Sequence, residues 1–178
     1  MSIQFTDIVN KLPASVPFVG PEAQERSIDQ LFKVRIGANE SVFGPSEKAI
    51  SAMKKHLSEV WMYGDPENFD LKHALAKKHK VNFENIVVGE GIDGLLGYLV
   101  RLIIEKGDHV VTTDGAYPTF NYHVEGFGGN LHKVPFCNDT EDLQKLLDKV
   151  KETSAKILYV SNPNNPMGTI NKPSNIES

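Results

Sequence analysis

At 178 residues, 40% of them hydrophobic, the chain suits one domain, or one and a piece, and carries enough apolar content for a core. Acidic and basic residues are interspersed and leave a net charge of −4, so there is no basic stripe for a phosphate backbone and nucleic acid is not expected as a partner. A single cysteine, Cys137, excludes an internal disulfide framework, and Met1 to Asp7 lacks the basic segment and apolar run of a secretory signal. The longest apolar stretch, Leu95 to Ile104, falls short of the ~20 residues a membrane span needs, so a soluble, cytoplasmic protein without membrane contact is expected.

In chain order, residues 1–45 carry prolines at positions 13, 17, 21 and 45 and glycines at 20, 37 and 44. That spacing breaks any long helix and predicts an extended N-terminal arm, which would pack on a small domain or a dimer partner. From Ser46 the pattern changes. Ser46 is an N-cap candidate with Glu47 in the first turn, and Ile50, Met53 and Leu57 share one helical face. Trp61 to Pro66 reads as a turn. A second helix is predicted from Asn68 to about His79, with Leu71, Ala74, Leu75 and the Lys78 stem on one side and Lys72, Lys77 and Lys80 in water.

Beyond that the periods alternate. Strands are predicted at Ile86 to Gly89, His109 to Thr113, Leu131 to Phe136 and Ile157 to Ser161. Between them come helices at Ile92 to Glu105, inward through Leu95, Leu96, Leu99 and Ile103, at Thr119 to Glu125, and at Thr140 to Lys151 through Leu143, Leu146, Leu147 and Val150. The alternation predicts βαβ units: a three-layer α/β/α fold with a mostly parallel sheet over residues 46–178, its ligands beyond the carboxyl ends of the strands.

Three of those ends carry unusual residues. Gly89, Gly91 and Gly94 match Gly-x-Gly-x-x-Gly between a predicted strand and a helix, and Asp114 ends the following strand 20 positions after Gly94. That is where an NAD-dependent oxidoreductase holds the adenine ribose, so a dinucleotide site is one reading of the loop. More generally, glycines and free N–H groups at a helix start favour a phosphate. Against the dinucleotide, more than eighty residues precede the loop and Glu90 puts a charge in the bend. A plain tight strand-to-helix turn is the third reading.

The second end, Asp114 to Tyr122, sets Tyr117, Phe120 and Tyr122 among turn residues, and Phe120 suits stacking on a heteroaromatic ring as well as covering the sheet end. The third, Ser161 to Gly168, places Asn162, Asn164 and Asn165 between Pro163 and Pro166, whose fixed φ makes a stiff loop able to aim a neutral donor at a ligand oxygen.

Taken in order, Gly37 to Ser46, Tyr63 to Pro66, Gly89 to Gly94, Tyr117 to Phe120 and Asn162 to Gly168 give the chain its resemblance: it resembles the N-terminal part of class I/II, fold-type-I pyridoxal-phosphate aminotransferases, most closely the histidinol-phosphate aminotransferase-like branch. The resemblance implies that residues 46–178 are a partial cofactor-binding large domain. Gly91, Ile92 and Asp93 would give backbone contacts to the phosphate of pyridoxal 5′-phosphate, Phe120 would stack on its ring, and Asn165 would hydrogen-bond its phenolic oxygen. Tyr63 would reach the phosphate of the neighbouring subunit, implying a homodimer, and Asn39 and Glu40 would lie near the substrate entrance. Met167 stands where the family usually has threonine.

The activity implied is ping-pong transamination of an amino acid, or an amino acid-like substrate, against a 2-oxo acid; a decarboxylase or lyase on the same fold is an alternative. In the family the lysine that anchors the cofactor follows the Asn-Pro loop. Lys172, four residues past Gly168, does not match it, so no catalytic residue is assigned in this chain and the isolated chain is expected to be inactive. A fragment of this kind would leave an apolar sheet edge uncovered and be prone to aggregate. No metal is expected.

Overall fold

A computed structural model of the chain describes residues 3–13, 19–35, 37–115 and 117–176. Pro17 of the predicted arm and position 116 of the aromatic loop lie outside the described residues. The elements are α1 (Asp7–Lys11), α2 (Pro21–Ile28), α3 (Glu47–His56), α4 (Phe69–His79), α5 (Gly91–Ile103), β1 (His109–Thr113), α6 (Pro118–Gly126), β2 (Asn130–Val134), α7 (Leu143–Thr153), β3 (Ile157–Leu158) and α8 (Pro173–Ile176). Short 3-10 turns occupy Gly37–Asn39, Leu57–Glu59 and Phe83–Asn85. The chain divides into two compact units, one drawn from residues 1–18 and 89–178 and the other from 19–88.

The first unit is built on a parallel sheet of order β2-β1-β3. Val110 pairs with Leu131 on one side and Ile157 on the other, so β1 is central and its side chains point alternately to two different cores. On one face, Leu96, Val100 and Ile104 of α5 and its end meet Val110 and, from α6, Phe120 and Val124. On the other, Val111 and Val134 pack on Leu146 of α7. Helices on both faces of a parallel sheet make the three-layer α/β/α arrangement, as the alternating periods predict.

Gly97 permits the close approach of α5 to α6: a Cβ there would stand 2.9 Å from Cε1 of His123. The buried stripe of α5 is therefore Leu96, Gly97 and Val100, while Leu99 and Ile103, predicted inward, are 39% and 37% exposed. A glycine without hydrophobicity marks the contact line, and period counting over leucines places that line one residue off.

Three predicted boundaries shift for local reasons. β2 ends at Val134 because Pro135 has no N–H to continue the ladder. α7 starts at Leu143, where the Asp142 carboxylate accepts from the Lys145 N–H at 3.1 Å, since Cys137 and Thr140 exchange backbone hydrogen bonds in a tight bridge just before it. β3 holds two residues, yet Tyr159 still donates its N–H to Val111 and accepts from Thr112 Oγ1 through its carbonyl.

Asp108 ties the lower ends of the strands together. Its carboxylate accepts from the Glu105 N–H at 2.8 Å and from Lys156 Nζ at 2.6 Å, and these hold its pKa below the usual aspartate range, the lysine first. A depressed carboxyl contributes stability above its unfolded pKa of about 3.9 and loses it as pH falls through the folded value. Asp108→Asn is thus expected to lower the thermal midpoint at pH 7, with the gap to the native chain closing as pH falls through the folded value, read by circular dichroism melts across pH. A gap that persists at low pH would assign the effect to packing.

In the unit 19–88, Ser46 Oγ caps α3 by accepting from the Ala49 N–H at 3.2 Å, as predicted. Asp65 orders the Trp61 to Pro66 turn: its two oxygens accept from the N–H groups of Glu67 and Phe69 at 3.0 and 2.8 Å, holding its pKa low. Phe69, His73 and Phe83 form a ring cluster, and Lys72 Nζ lies 4.0 Å over Phe83. Lys72, predicted to face water, is half-buried and Leu71 is exposed; the cation–ring contact turns the inward face of α4 toward Lys72, Leu75 and Ala76.

Two predictions fail in the N-terminal half. The arm is not extended throughout, because Thr6 Oγ1 caps α1 and Pro21 sits in the first turn of α2, where a proline starts a helix as readily as it breaks one. No strand forms at Ile86 to Gly89, where no neighbouring strand supplies a ladder among the described residues. No helix of the described residues is long and apolar enough to cross a membrane.

Candidate functional site

The carboxyl ends of β1 and β3, the start of α5 and the loop after β3 belong to one unit; hydrogen bonds link β1 to the end of β3 and the loop after β1 to the start of α5. At the start of α5, Gly91 adopts φ +73° and no side chain caps the helix. The first-turn N–H groups of a thirteen-residue helix carry its positive dipole end, so an anion is favoured there. Ile92 and Asp93 are exposed beside Gly91. Glu90, which sequence alone places inside the bend, turns back along α5 and accepts from the Tyr98 hydroxyl at 3.1 Å.

The aromatic loop is tied to the same helix turn. Tyr117 donates its hydroxyl to Asp93 Oδ1 at 2.5 Å, and this bond, ahead of partial burial, raises the phenol above the ordinary tyrosine range. Phe120 is fully buried and stacks on Tyr159, ring centroids 4.1 Å apart and planes at 22°. Its ring thus serves the core, with Tyr159 on it, instead of offering an open face. Sequence reading does not single out Tyr159, because it lies inside the apolar run Ile157 to Val160, which hides it among core residues. Its phenol is also raised, by burial first and then by the negative charges of Asp93 and Glu141. Thr113 Oγ1, at the end of β1, and Asn121 Oδ1, next to Phe120 on α6, are buried without hydrogen-bond partners.

The Asn-Pro loop is pinned through its amides. Asn162 Nδ2 donates to the Asn171 carbonyl at 3.1 Å and its Oδ1 accepts from the Asn171 N–H at 2.9 Å. Asn164 is buried; its Nδ2 donates to Glu141 Oε1 at 2.8 Å while its Oδ1 accepts from the Met167 N–H at 3.1 Å. Asn171 Nδ2 donates to Glu141 Oε2 at 3.0 Å. Asn165 sits half-buried within this frame. Sequence reading finds the loop but not Glu141 or Asn171, since neither belongs to a motif.

The other predicted positions lie in the unit 19–88. Tyr63 is fully exposed. Asn39 closes the Gly37–Asn39 turn with φ +56°, and Glu40 lies 4.0 Å from Arg35, which also donates to Glu22. Among the described residues no group of three or more His, Cys, Asp and Glu side chains can hold a metal ion.

An α/β/α unit with an uncapped helix start, an aromatic loop and an amide loop at the carboxyl ends of its strands has the layout of an α/β protein that takes a ligand there. The family model for aminotransferase class I and II matches residues 33–178, and the chain belongs to that family. Its fold is that of the fold-type-I members. It is 32% identical to the histidinol-phosphate aminotransferase of Moorella thermoacetica over 155 residues, which span 87% of this chain and 40% of that protein. The histidinol-phosphate aminotransferase of Staphylococcus haemolyticus is 30% identical over 173 residues, 96% of this chain and 48% of that one.

Among solved structures, the histidinol-phosphate aminotransferase of Sinorhizobium meliloti in complex with pyridoxal-5′-phosphate superposes with a TM-score of 0.85 at 49% identity, covering 93% of this chain and 44% of that one. A single mutant of Thermus thermophilus aspartate aminotransferase, at 23% identity and a TM-score of 0.75, shares the fold; 99% of this chain and 49% of that one are covered. The chain spans less than half the length of either curated relative. Family membership, together with the missing strand before Gly89, replaces the dinucleotide reading of the glycine loop. Asp114 instead continues the β1–β2 ladder, donating its N–H to the Val134 carbonyl at 2.8 Å.

Proposed function

We propose that the chain supplies much of the cofactor cradle of a pyridoxal-phosphate-dependent aminotransferase working by ping-pong transamination between an amino acid or amino acid-like donor and a 2-oxo acid. The names of its relatives point to histidinol phosphate as the donor class. The whole protein is proposed to be a cytoplasmic homodimer in which Tyr63 reaches the partner's phosphate and Asn39 and Glu40 border the substrate entrance. The observation that carries the reading is the placement of an uncapped helix start and a pinned amide loop at one sheet end.

The residues fit the cofactor. The N–H groups at Gly91, Ile92 and Asp93 suit a phosphate, and the unpartnered Thr113 Oγ1 is a further polar group at the strand end. Pyridoxal phosphate, when bound, supplies the electron sink that acidifies the α-carbon of an amino acid. This chain binds and orients. The Asn165 amide would donate to the phenolic oxygen of the bound cofactor, which would favour the ionised form of that oxygen. Phe120 and Tyr159, stacked on each other in the core, form a packed base beneath the site, and the Tyr117 to Asp93 hydrogen bond keeps the aromatic loop at the start of α5.

Equilibrium dialysis of the chain against pyridoxal phosphate tests this. Reversible binding is expected, weakened about tenfold or more in Asn165→Ala, since a hydrogen bond to a charged oxygen contributes roughly 1.5–3 kcal/mol. No uptake by the native chain, or equal uptake by the variant, would reject the assignment.

A further inference from the structure

We propose that Glu141 is the positioning residue of the cofactor-facing amide loop: its buried carboxylate, by gripping Asn164 and Asn171 together, fixes the direction in which Asn165 points. The inference rests on the cofactor reading above. Glu141 is 4% exposed, Asn164 4% and Asn171 8%, so this is an interior polar cluster and not a surface turn. It joins three stretches of chain: the approach to α7, the middle of the Asn-Pro loop and the segment that leaves it.

The chemistry requires a carboxylate at this point. A carboxylate is acceptor-only, so both facing amides turn their N–H₂ groups toward Glu141. That orientation directs Asn164 Oδ1 away, to the Met167 N–H at 3.1 Å. The backbone of Asn164 is held as well, accepting from the Gly168 N–H and donating to the Thr169 carbonyl, both at 2.8 Å. Asn165 and Pro166 are thus spanned by contacts of Asn164, whose side chain Glu141 holds. A glutamine would have to point its own N–H₂ at one of two other N–H₂ groups, breaking one side of the grip. Lys145, on the first turn of α7, engages elsewhere: its Nζ pairs with Asp142 Oδ2 at 2.9 Å. The Glu141 charge also reaches Tyr159, where it adds to the rise of the phenol.

The test compares pyridoxal 5′-phosphate with its 3-deoxy analogue, which lacks the phenolic oxygen that Asn165 would meet. In Glu141→Gln, pyridoxal phosphate should bind about tenfold more weakly while the analogue stays within about twofold of its affinity for the native chain. In an Asn165→Ala background, Glu141→Gln should add nothing to the loss. Faster hydrogen exchange at the Met167 and Asn171 amides of Glu141→Gln reports the released loop without any ligand, and Glu141→Ala extends the series if it folds. Equal weakening of both ligands would make Glu141 mere structural support, and unchanged binding and exchange would also overturn the proposal. Failure of the native chain to bind pyridoxal phosphate at all would instead remove the cofactor reading beneath it, a result seen before any variant is made.

Discussion

Phe120→Ala is expected to lower the stability of the chain by about 3–5 kcal/mol, the usual loss for deleting a fully buried aromatic side chain. The residue has no exposed surface and joins Leu96, Val100, Val110 and Val124 in the core on one face of the sheet. Because small domains hold only about 5–15 kcal/mol in total, such a loss brings the unit near unfolding at ambient temperature. Urea denaturation followed by tyrosine fluorescence gives the number. A Tyr159→Ala partner variant should show a coupling of about 0.5–1.5 kcal/mol with Phe120→Ala through the ring stack. A loss below about 1 kcal/mol would mean that the ring is not a core element. Weak cofactor binding in Phe120→Ala would therefore report a damaged core, and Phe120→Leu is the better probe of stacking on a ligand ring.

The second large effect concerns the asymmetry of the Glu141 cluster. Glu141→Leu leaves the buried Nδ2 groups of Asn164 and Asn171 without their acceptors, at about 1–3 kcal/mol each. Replacing all three by leucine removes the stranded donors as well, and should recover a good part of that loss even though the Met167 N–H then loses Asn164 Oδ1. Denaturant midpoints of the single and triple variants measure this. A triple variant less stable than the single one would show that the amides contribute more through packing than through their hydrogen bonds.

Local chemistry explains what sequence could reveal. Ser46 announces α3 because an N-cap acts within four residues, and β1 is legible because a run of β-branched residues between turn signals has one reading. The Asn-Pro loop is legible through its composition alone. What sequence conceals depends on partners far along the chain. The contact line of α5 runs through Gly97 because His123 stands opposite. Glu141 looks like any charge at a helix approach until residues 23 and 30 positions later fold onto it. Phe120 is legible as an aromatic at a sheet end, but whether its ring faces a ligand or the core turns on Tyr159. Ile86 to Gly89 has strand composition and still forms none, since a strand is a property of a pair.

The order of the sheet has a consequence for how the chain is made. β1, flanked on both edges in the finished fold, is the first of the described strands to be synthesised, and the second edge it needs arrives last: Thr112 waits for Tyr159, 47 residues downstream. During translation α5, α6 and β2 can close one core around β1 early, while the edge meant for β3 stays open. The residues that complete that edge lead directly into the amide loop, so the candidate ligand site is assembled at the same moment that β3 pairs with β1.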